Sequence, residues 1–198
     1  MGDRWALLVV RELLLGPKRF TELRRGLPGA SQSMLSSRLV ELEEAAVVRR
    51  RRLGPPTSAW AYELTEWGRD LESALLPLAR WGSRSPLTSS AGLSVDALAL
   101  ALKTTFDPAS GRDLSARCQL RLDADSLLVT VHDGQLEVTR TEATAADVVI
   151  ETTVAVFRSL IFGGAPLSTA EATIGGDREL AARFITVFKR PTPVAGKG

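Results

Sequence analysis

The chain is poor in the residues that usually carry chemistry: one cysteine, one histidine and one tyrosine in 198 residues. A single cysteine, Cys118, excludes an internal disulfide and points to a reducing compartment. His132 stands beside the Asp133-Gly134 turn, paired with neither a nucleophile nor a cluster at metal-ligand spacing. There is no Walker loop and no dinucleotide fingerprint. Asp123 and Asp125 flank a turn, which accounts for them without calcium. An enzyme is therefore not expected, nor a metal or a cofactor. Apolar runs fall well short of the ~20 residues that span a bilayer. Arg11 and Glu12 interrupt the short apolar segment after Asp3 and Arg4, so a signal peptide is not expected either. These absences together lead us to expect a cytoplasmic protein without membrane insertion.

The apolar share of 44% and charged share of 24% are ordinary for a folded chain, and the length suits one large or two small domains. The net charge of +2 conceals an asymmetry. Residues 1–84 hold 14 basic against 10 acidic side chains, an excess of +4, and the remainder 11 against 13, or −2. The basic excess centres on Arg49, Arg50, Arg51 and Arg52, four consecutive arginines between an apolar stretch and a Gly-Pro-Pro turn. Like charges this dense repel one another, and a polyanion alongside makes the arrangement favourable.

The elements around this run are short and well punctuated. Asp3 is placed to cap a helix from about Arg4 to Leu15, with Trp5, Leu8, Val9, Glu12 and Leu13 at helical spacing and Gly16-Pro17 ending it. Phe20 to Arg25 reads as a second helix, with Phe20, Leu23 and Leu27 inward and Arg24 and Arg25 outward. Ser31 caps a third, from about Gln32 to Glu44, whose buried stripe is Met34 or Leu35, Leu39 and Leu42. Gln32, Ser33, Ser36, Ser37 and Arg38 lie at its start or on its exposed side. Short hydroxyl and amide side chains at a helix start approach DNA closely and bond base edges or phosphates. A solvated polar face is the other reading of this helix taken alone. After the arginines, Gly54 to Ser58 makes a turn, and Trp60, Tyr62 and Leu64 share one face of a return strand. Thr65 caps a fourth helix from Glu66 to about Trp81, with Trp67, Leu71, Leu75, Leu78 and Trp81 as its apolar positions and a kink or end at Pro77. Three helices, a hairpin and a further helix make a winged helix-turn-helix.

The stretch from "GDRWALLVVRELLLGPKRF" through "SQSMLSSRLVELEEAAVVRR" to "YELTEWGRDLE" and "LARWG" resembles the HxlR family of bacterial transcription regulators over residues 1–84. The resemblance implies a homodimer on a two-fold operator, with the helix that begins at Ser31 in the major groove. It places base reading at Gln32, Ser33, Ser36, Ser37 and Arg38, and the arginines on phosphate or in the adjacent minor groove. Family members usually carry a further helix, often with a reactive cysteine, ahead of the Gly-Asp-Arg-Trp motif. Here that motif begins at Gly2 and the one cysteine lies in the other half, which weakens the expectation of a dimer and disfavours cysteine-based sensing.

Ser83 to Gly92 reads as a linker. The expected domains are thus residues 1–82 and 93–190, with a flexible tail at 191–198. The second begins with an apolar helix, Leu93 to Phe106, followed by three alternating strands around Cys118–Leu122, Leu127–Val131 and Leu136–Val138. In the first of these Arg117, Gln119 and Arg121 take the other face. Val148 to Ile150 opens another strand, Val154 to Phe162 a helix ending at Gly163-Gly164, and Ala170 to Ile174 a short strand. Asp177 caps a closing helix with Leu180, Phe184, Ile185 and Phe188 inward.

The segment "ADVVIETTVAVFRSLIFGGAPLSTAEATIGGDRELAARFITVF" is similar to the sterol carrier protein fold. The fold class expected is α+β, a winged helix-turn-helix joined to a sterol-carrier-like antiparallel sheet with packed helices. That resemblance implies an apolar ligand between sheet and helices. Its lining would be Phe106, Leu120, Val129, Val131, Phe157, Leu160, Ile161, Phe184 and Phe188, with Gly163 to Pro166 as a mouth. The same residues also suit a solid core, since a domain of about 100 residues needs most of its large apolar side chains for that purpose. A lipid carrier that only happens to bear a DNA-like domain would need another explanation for the arginine run, and two further functions stay open. One is a DNA-binding regulator modulated by a small apolar ligand. The other is a constitutive DNA binder whose second domain is a structural or dimerisation module.

Overall fold

The computed structural model describes residues 4–55, 58–85 and 92–194. The cap expected at Asp3, part of the wing turn, most of the linker and the end of the tail lie outside the described residues. The chain divides into two compact units, residues 1–78 and 79–198.

The first unit runs α1 (Arg4–Leu13), α2 (Phe20–Gly26), α3 (Gln32–Glu44), β1 (Val48–Arg52), β2 (Trp60–Leu64) and α4 (Glu66–Asp70), and α5 (Glu72–Gly82) leads on into the second. The apolar spacing of α1 buries Val9, Val10 and Leu13, while Trp5 and Leu8 are only partly covered. Leu35 rather than Met34 joins Leu39 and Leu42 in the buried stripe of α3. Glu12 is fully buried on α1 and bonded to Lys18 Nζ at 3.0 Å and Arg11 Nη2 at 2.8 Å. Lys18 also exchanges two backbone hydrogen bonds with Tyr62, so the link between α1 and α2 is stitched to the edge of the hairpin. Breaking one side of a buried ion pair leaves an uncompensated charge, which makes this pair a fixed point of the unit.

One turn sets where the hairpin leaves α3. Ala46 adopts a left-handed φ of 55° between α3 and β1. Thr65 holds that turn: its hydroxyl donates to the Ala46 carbonyl at 2.7 Å and accepts from Gly68 N at 3.0 Å, and its own N–H donates to the Val47 carbonyl at 3.0 Å. A Cβ on Gly68 would stand 2.1 Å from the Val47 oxygen, so only glycine admits this approach.

The single helix expected from Glu66 to Trp81 is two. The break falls at Leu71, whose N–H bonds the Gly68 carbonyl three residues back, tightening the turn. Pro77 lies inside α5, on its exposed side, without ending it.

The second unit comprises α6 (Val95–Thr105), α7 (Pro108–Gly111), β3 (Ala116–Leu122), β4 (Asp125–His132), β5 (Gln135–Thr139), β6 (Val148–Thr152), α8 (Val154–Phe162), β7 (Thr173–Gly176) and α9 (Arg178–Thr186). The strands order as β5-β4-β3-β6-β7. The antiparallel sheet expected from the sequence is corrected to a mixed one, because β6 runs parallel to β3. The cause is the segment 140–147, which returns along the sheet before β6 begins. Arg140 is bonded to Asp96 and Asp125, Glu142 to Arg121 and Ser126, and the Asp147 carboxylate accepts from Arg117 N at 2.7 Å. Gln119, on the face opposite Cys118 and Leu120, is buried under this segment. Its amide donates to the Leu127 and Thr141 carbonyls and accepts from Ala143 N. The last strand starts three residues later than expected and ends two later, with Gly175 and Gly176 paired to Val149 and Val148.

The Asp133-Gly134 turn has positive φ at both residues, as a two-residue hairpin requires. Cys118, Leu120, Leu122, Leu127, Val129 and Val131 are fully buried. Burial, with the charge of Asp147 adding to it, pushes the Cys118 thiol far above its ordinary range.

Two outcomes follow from this packing. Gly68→Ala should lower unfolding stability by about 2–3 kcal/mol in urea titration, because a carbonyl cannot retreat as a side chain would; wild-type stability would contradict the seat described for Thr65. Cys118 should resist iodoacetamide in the native protein and react only on unfolding. Rapid labelling of the folded chain would show the β3 face to be open.

Candidate nucleic-acid interface

The turn between α2 and α3 puts two arginines against a helix start. Arg24 and Arg25 form the basic last turn of α2 and are exposed. Together with Thr21, Pro28, Ala30, Ser31 and Gln32 they line an open groove of about 510 Å³. Ser31 caps α3 by accepting from Met34 N at 3.2 Å, and its hydroxyl also lies 3.2 Å from that of Ser33. The first turn of α3 carries no acidic side chain, so the positive end of its dipole is not offset there. Glu22 is turned elsewhere: it accepts from Arg19 N at 2.6 Å and from the Arg19 guanidinium at 2.9 Å.

Along the exposed side of α3 stand Gln32, Ser33, Ser36 and Ser37. Ser37 donates to Glu41 at 3.3 Å, and Arg38, half-buried, is bonded to the same carboxylate. The arginine expected as a base reader is thus engaged one turn along its own helix. Val40 was not anticipated. It is 52% exposed, and at about 100° per residue it falls on the same side as Ser33 and Ser36. Its apolar type hid it in the sequence, where Leu39 and Leu42 beside it are core.

The four arginines occupy β1 from its second residue to its last, in antiparallel register with β2. Strand alternation sorts them into two pairs. Arg50 and Arg52 share a face with Trp60 and Tyr62, and the Arg50 guanidinium lies 5.6 Å from the Trp60 ring centre and 5.5 Å from that of Tyr62. Trp60 is 59% exposed. Arg49 and Arg51 take the other face and meet Glu63, the residue opposite Arg49. Arg49 Nε donates to one Glu63 oxygen at 2.8 Å and Arg51 Nη1 to the other at 2.9 Å. Burial alone would raise the Glu63 carboxyl, but the hydrogen bonds and charges of Arg51 and Arg49 outweigh it and hold the group below its ordinary value. The clasp therefore contributes stability above the ordinary glutamate range, which is lost as pH falls through the lowered value. The sequence shows Glu63 as one polar position in a strand. Only the register reveals it as the partner of two arginines.

Of the nine residues expected to line an apolar site in the second unit, eight are buried by protein: Leu120, Val129, Val131, Phe157, Leu160, Ile161, Phe184 and Phe188. Phe106 is half-buried, with its ring 6.2 Å from that of Phe188, which stands edge-on to Phe184 at 5.2 Å. His132 is exposed, with Ser115 Oγ 3.4 Å from one ring nitrogen and Asp133 Oδ2 3.2 Å from the other. Among the described residues no group of three or more His, Cys, Asp or Glu is placed to hold a metal ion, and no helix is long and apolar enough to cross a membrane.

Residues 1–88 match the model of a family described as HxlR-like helix-turn-helix. The transcriptional regulator YodB of Bacillus subtilis is 37% identical over 84 residues, covering 42% of this chain and 75% of that protein. Its reduced form has been solved, and the match there has 39% identity and a TM-score of 0.38 over 42% of this chain and 81% of that one. An uncharacterised HTH-type transcriptional regulator of Mycobacterium tuberculosis, Rv3095, is 42% identical over 82 residues, which are 41% of this chain and 51% of that protein. This chain thus spans about half the length of the mycobacterial relatives it matches. The secondary alkylsulfatase Pisa1 of a Pseudomonas species is also similar, at 16% identity and a TM-score of 0.49 over 53% of this chain and 18% of that one. The curated relatives are named as transcriptional regulators, a role without catalysis. By its helix-turn-helix half, the chain belongs to the HxlR family of transcriptional regulators.

Proposed function

We propose that this chain regulates transcription in the cytoplasm by laying α3 in the major groove of an operator, with β1 along the adjacent phosphates. The observation that carries this reading is the pairing of an acid-free, serine-rich helix start with a strand of four arginines in the same unit. In this reading Ser31, Gln32, Ser33, Ser36 and Ser37 approach base edges and backbone, and Arg24 and Arg25 hold the phosphates beside the α2–α3 groove. Arg38 acts through Glu41 or releases it on binding. Val40 offers an apolar contact of the kind a thymine methyl accepts. The family resemblance supports dimerisation on a two-fold site, for which the exposed Trp67 and Leu78 offer apolar surface.

The second unit has two readings. Its likeness to sterol carrier domains supports a small apolar effector that alters operator affinity, by no more than its differential affinity for the two arrangements. The near-complete burial of the expected lining supports a structural or dimerisation module instead. Palmitate and cholesterol as probes separate them. The effector reading expects a raised melting temperature together with changed DNA affinity, and the module reading expects neither.

Replacing Arg49 to Arg52 with alanine should weaken duplex binding by more than ten-fold at moderate salt. It should also flatten the plot of log affinity against log salt by about 0.9 for each phosphate no longer neutralised. Fluorescence anisotropy over a salt series reads both. An unchanged slope would remove the hairpin from the interface.

A further inference from the structure

An acidic residue is out of place in a strand that meets phosphates, since its charge repels them. Glu63 is nevertheless there, with its side chain only 6% exposed, and each of its oxygens takes one arginine. The two arginines are not thereby used up. Arg49 gives Glu63 its Nε–H and Arg51 a single Nη1–H, out of five donors on each guanidinium. Their side chains stay 64% and 50% exposed. Being two apart on one strand, their backbone positions lie about 6.7 Å apart along it and their side chains share one face.

Resting on the proposed function above, we infer that Glu63 is a positioning residue. It holds Arg49 and Arg51 side by side as a two-pronged clamp for two neighbouring phosphates of one DNA strand. An untethered arginine must give up rotamer freedom when it meets a phosphate, whereas a tethered one has given it up beforehand. Bare electrostatics predicts that removing the Glu63 charge strengthens binding to every duplex alike. The clamp predicts the opposite for a selected site. On the other face of the hairpin, the stack of Arg50 on Trp60 and Tyr62 restrains a third guanidinium by different means.

The test uses the full chain and a duplex enriched by it from a random library, against an unrelated duplex of equal length. Glu63→Gln should lower affinity for the enriched duplex about ten-fold and narrow the preference between the two, although the net charge rises by one. In an Arg49→Ala, Arg51→Ala background the same substitution should cause no further loss, which a general folding defect would. Arg49→Lys with Arg51→Lys keeps the charge but loses the planar fork, so it should reproduce the narrowed preference even where Glu63→Gln fails to fold. Equal tightening on both duplexes by Glu63→Gln, or a lysine pair that behaves as wild type, would overturn the clamp and leave DNA binding intact. No enriched duplex at all, or full affinity in the Arg49→Ala, Arg51→Ala protein, would instead sink the DNA reading of the hairpin and the clamp with it.

Discussion

Four guanidinium groups on consecutive strand residues repel one another, and β1 holds them only because its partner strand supplies opposing groups at each face. At the half-exposed separations of a hairpin surface, each unscreened pair costs on the order of 1 kcal/mol. Alternation divides the run in two, Glu63 answers Arg49 and Arg51, and the rings of Trp60 and Tyr62 answer Arg50. What remains after this compensation is still a surplus of positive charge on a thin, exposed element. That surplus is the feature on which the proposed polyanion binding of the first unit rests.

The hairpin is useful only if it leaves α3 at a set angle. The left-handed turn at Ala46, the Thr65 bonds to the Ala46 and Val47 carbonyls, and the close approach of Gly68 fix that exit from three sides. The buried Glu12–Lys18 pair and the backbone exchange of Lys18 with Tyr62 tie the opposite edge of the hairpin to α1. Helix α3 and the hairpin are therefore braced by polar contacts set apart from the exposed serines and arginines. The Glu12–Lys18 pair tolerates substitution worst, because it is buried and the remaining partner would be left unsatisfied.

Much of the first unit was legible in the sequence. Ser31 and the spacing of Leu35, Leu39 and Leu42 mark the bounds of α3, and the Gly-Pro signals mark the turns, because capping and amphipathic period are local properties. The division of α4 from α5 was not legible, since it rests on a tightened turn at Leu71, an apolar residue whose type gives no sign of a break. Glu63 and Glu12 escaped because the worth of a charge depends on which charges the fold places beside it. In the second unit the alternating strands were visible but not their directions. Alternation is identical in parallel and antiparallel ladders, and the returning segment 140–147 is recognised only by its bonds to Gln119, Arg121 and Arg117. Whether the nine apolar residues enclose a ligand or one another leaves no trace in the sequence at all, because both remove the same surface from water.

The most direct measurement is the structure of the chain bound to a duplex of about 20 base pairs. The account predicts Ser33 and Ser36 of α3 facing base edges in the major groove, and the Arg49 and Arg51 guanidinium groups within hydrogen-bond distance of successive phosphates while still held by Glu63. A complex in which the duplex lies against another face, with the hairpin turned to solvent, would contradict it.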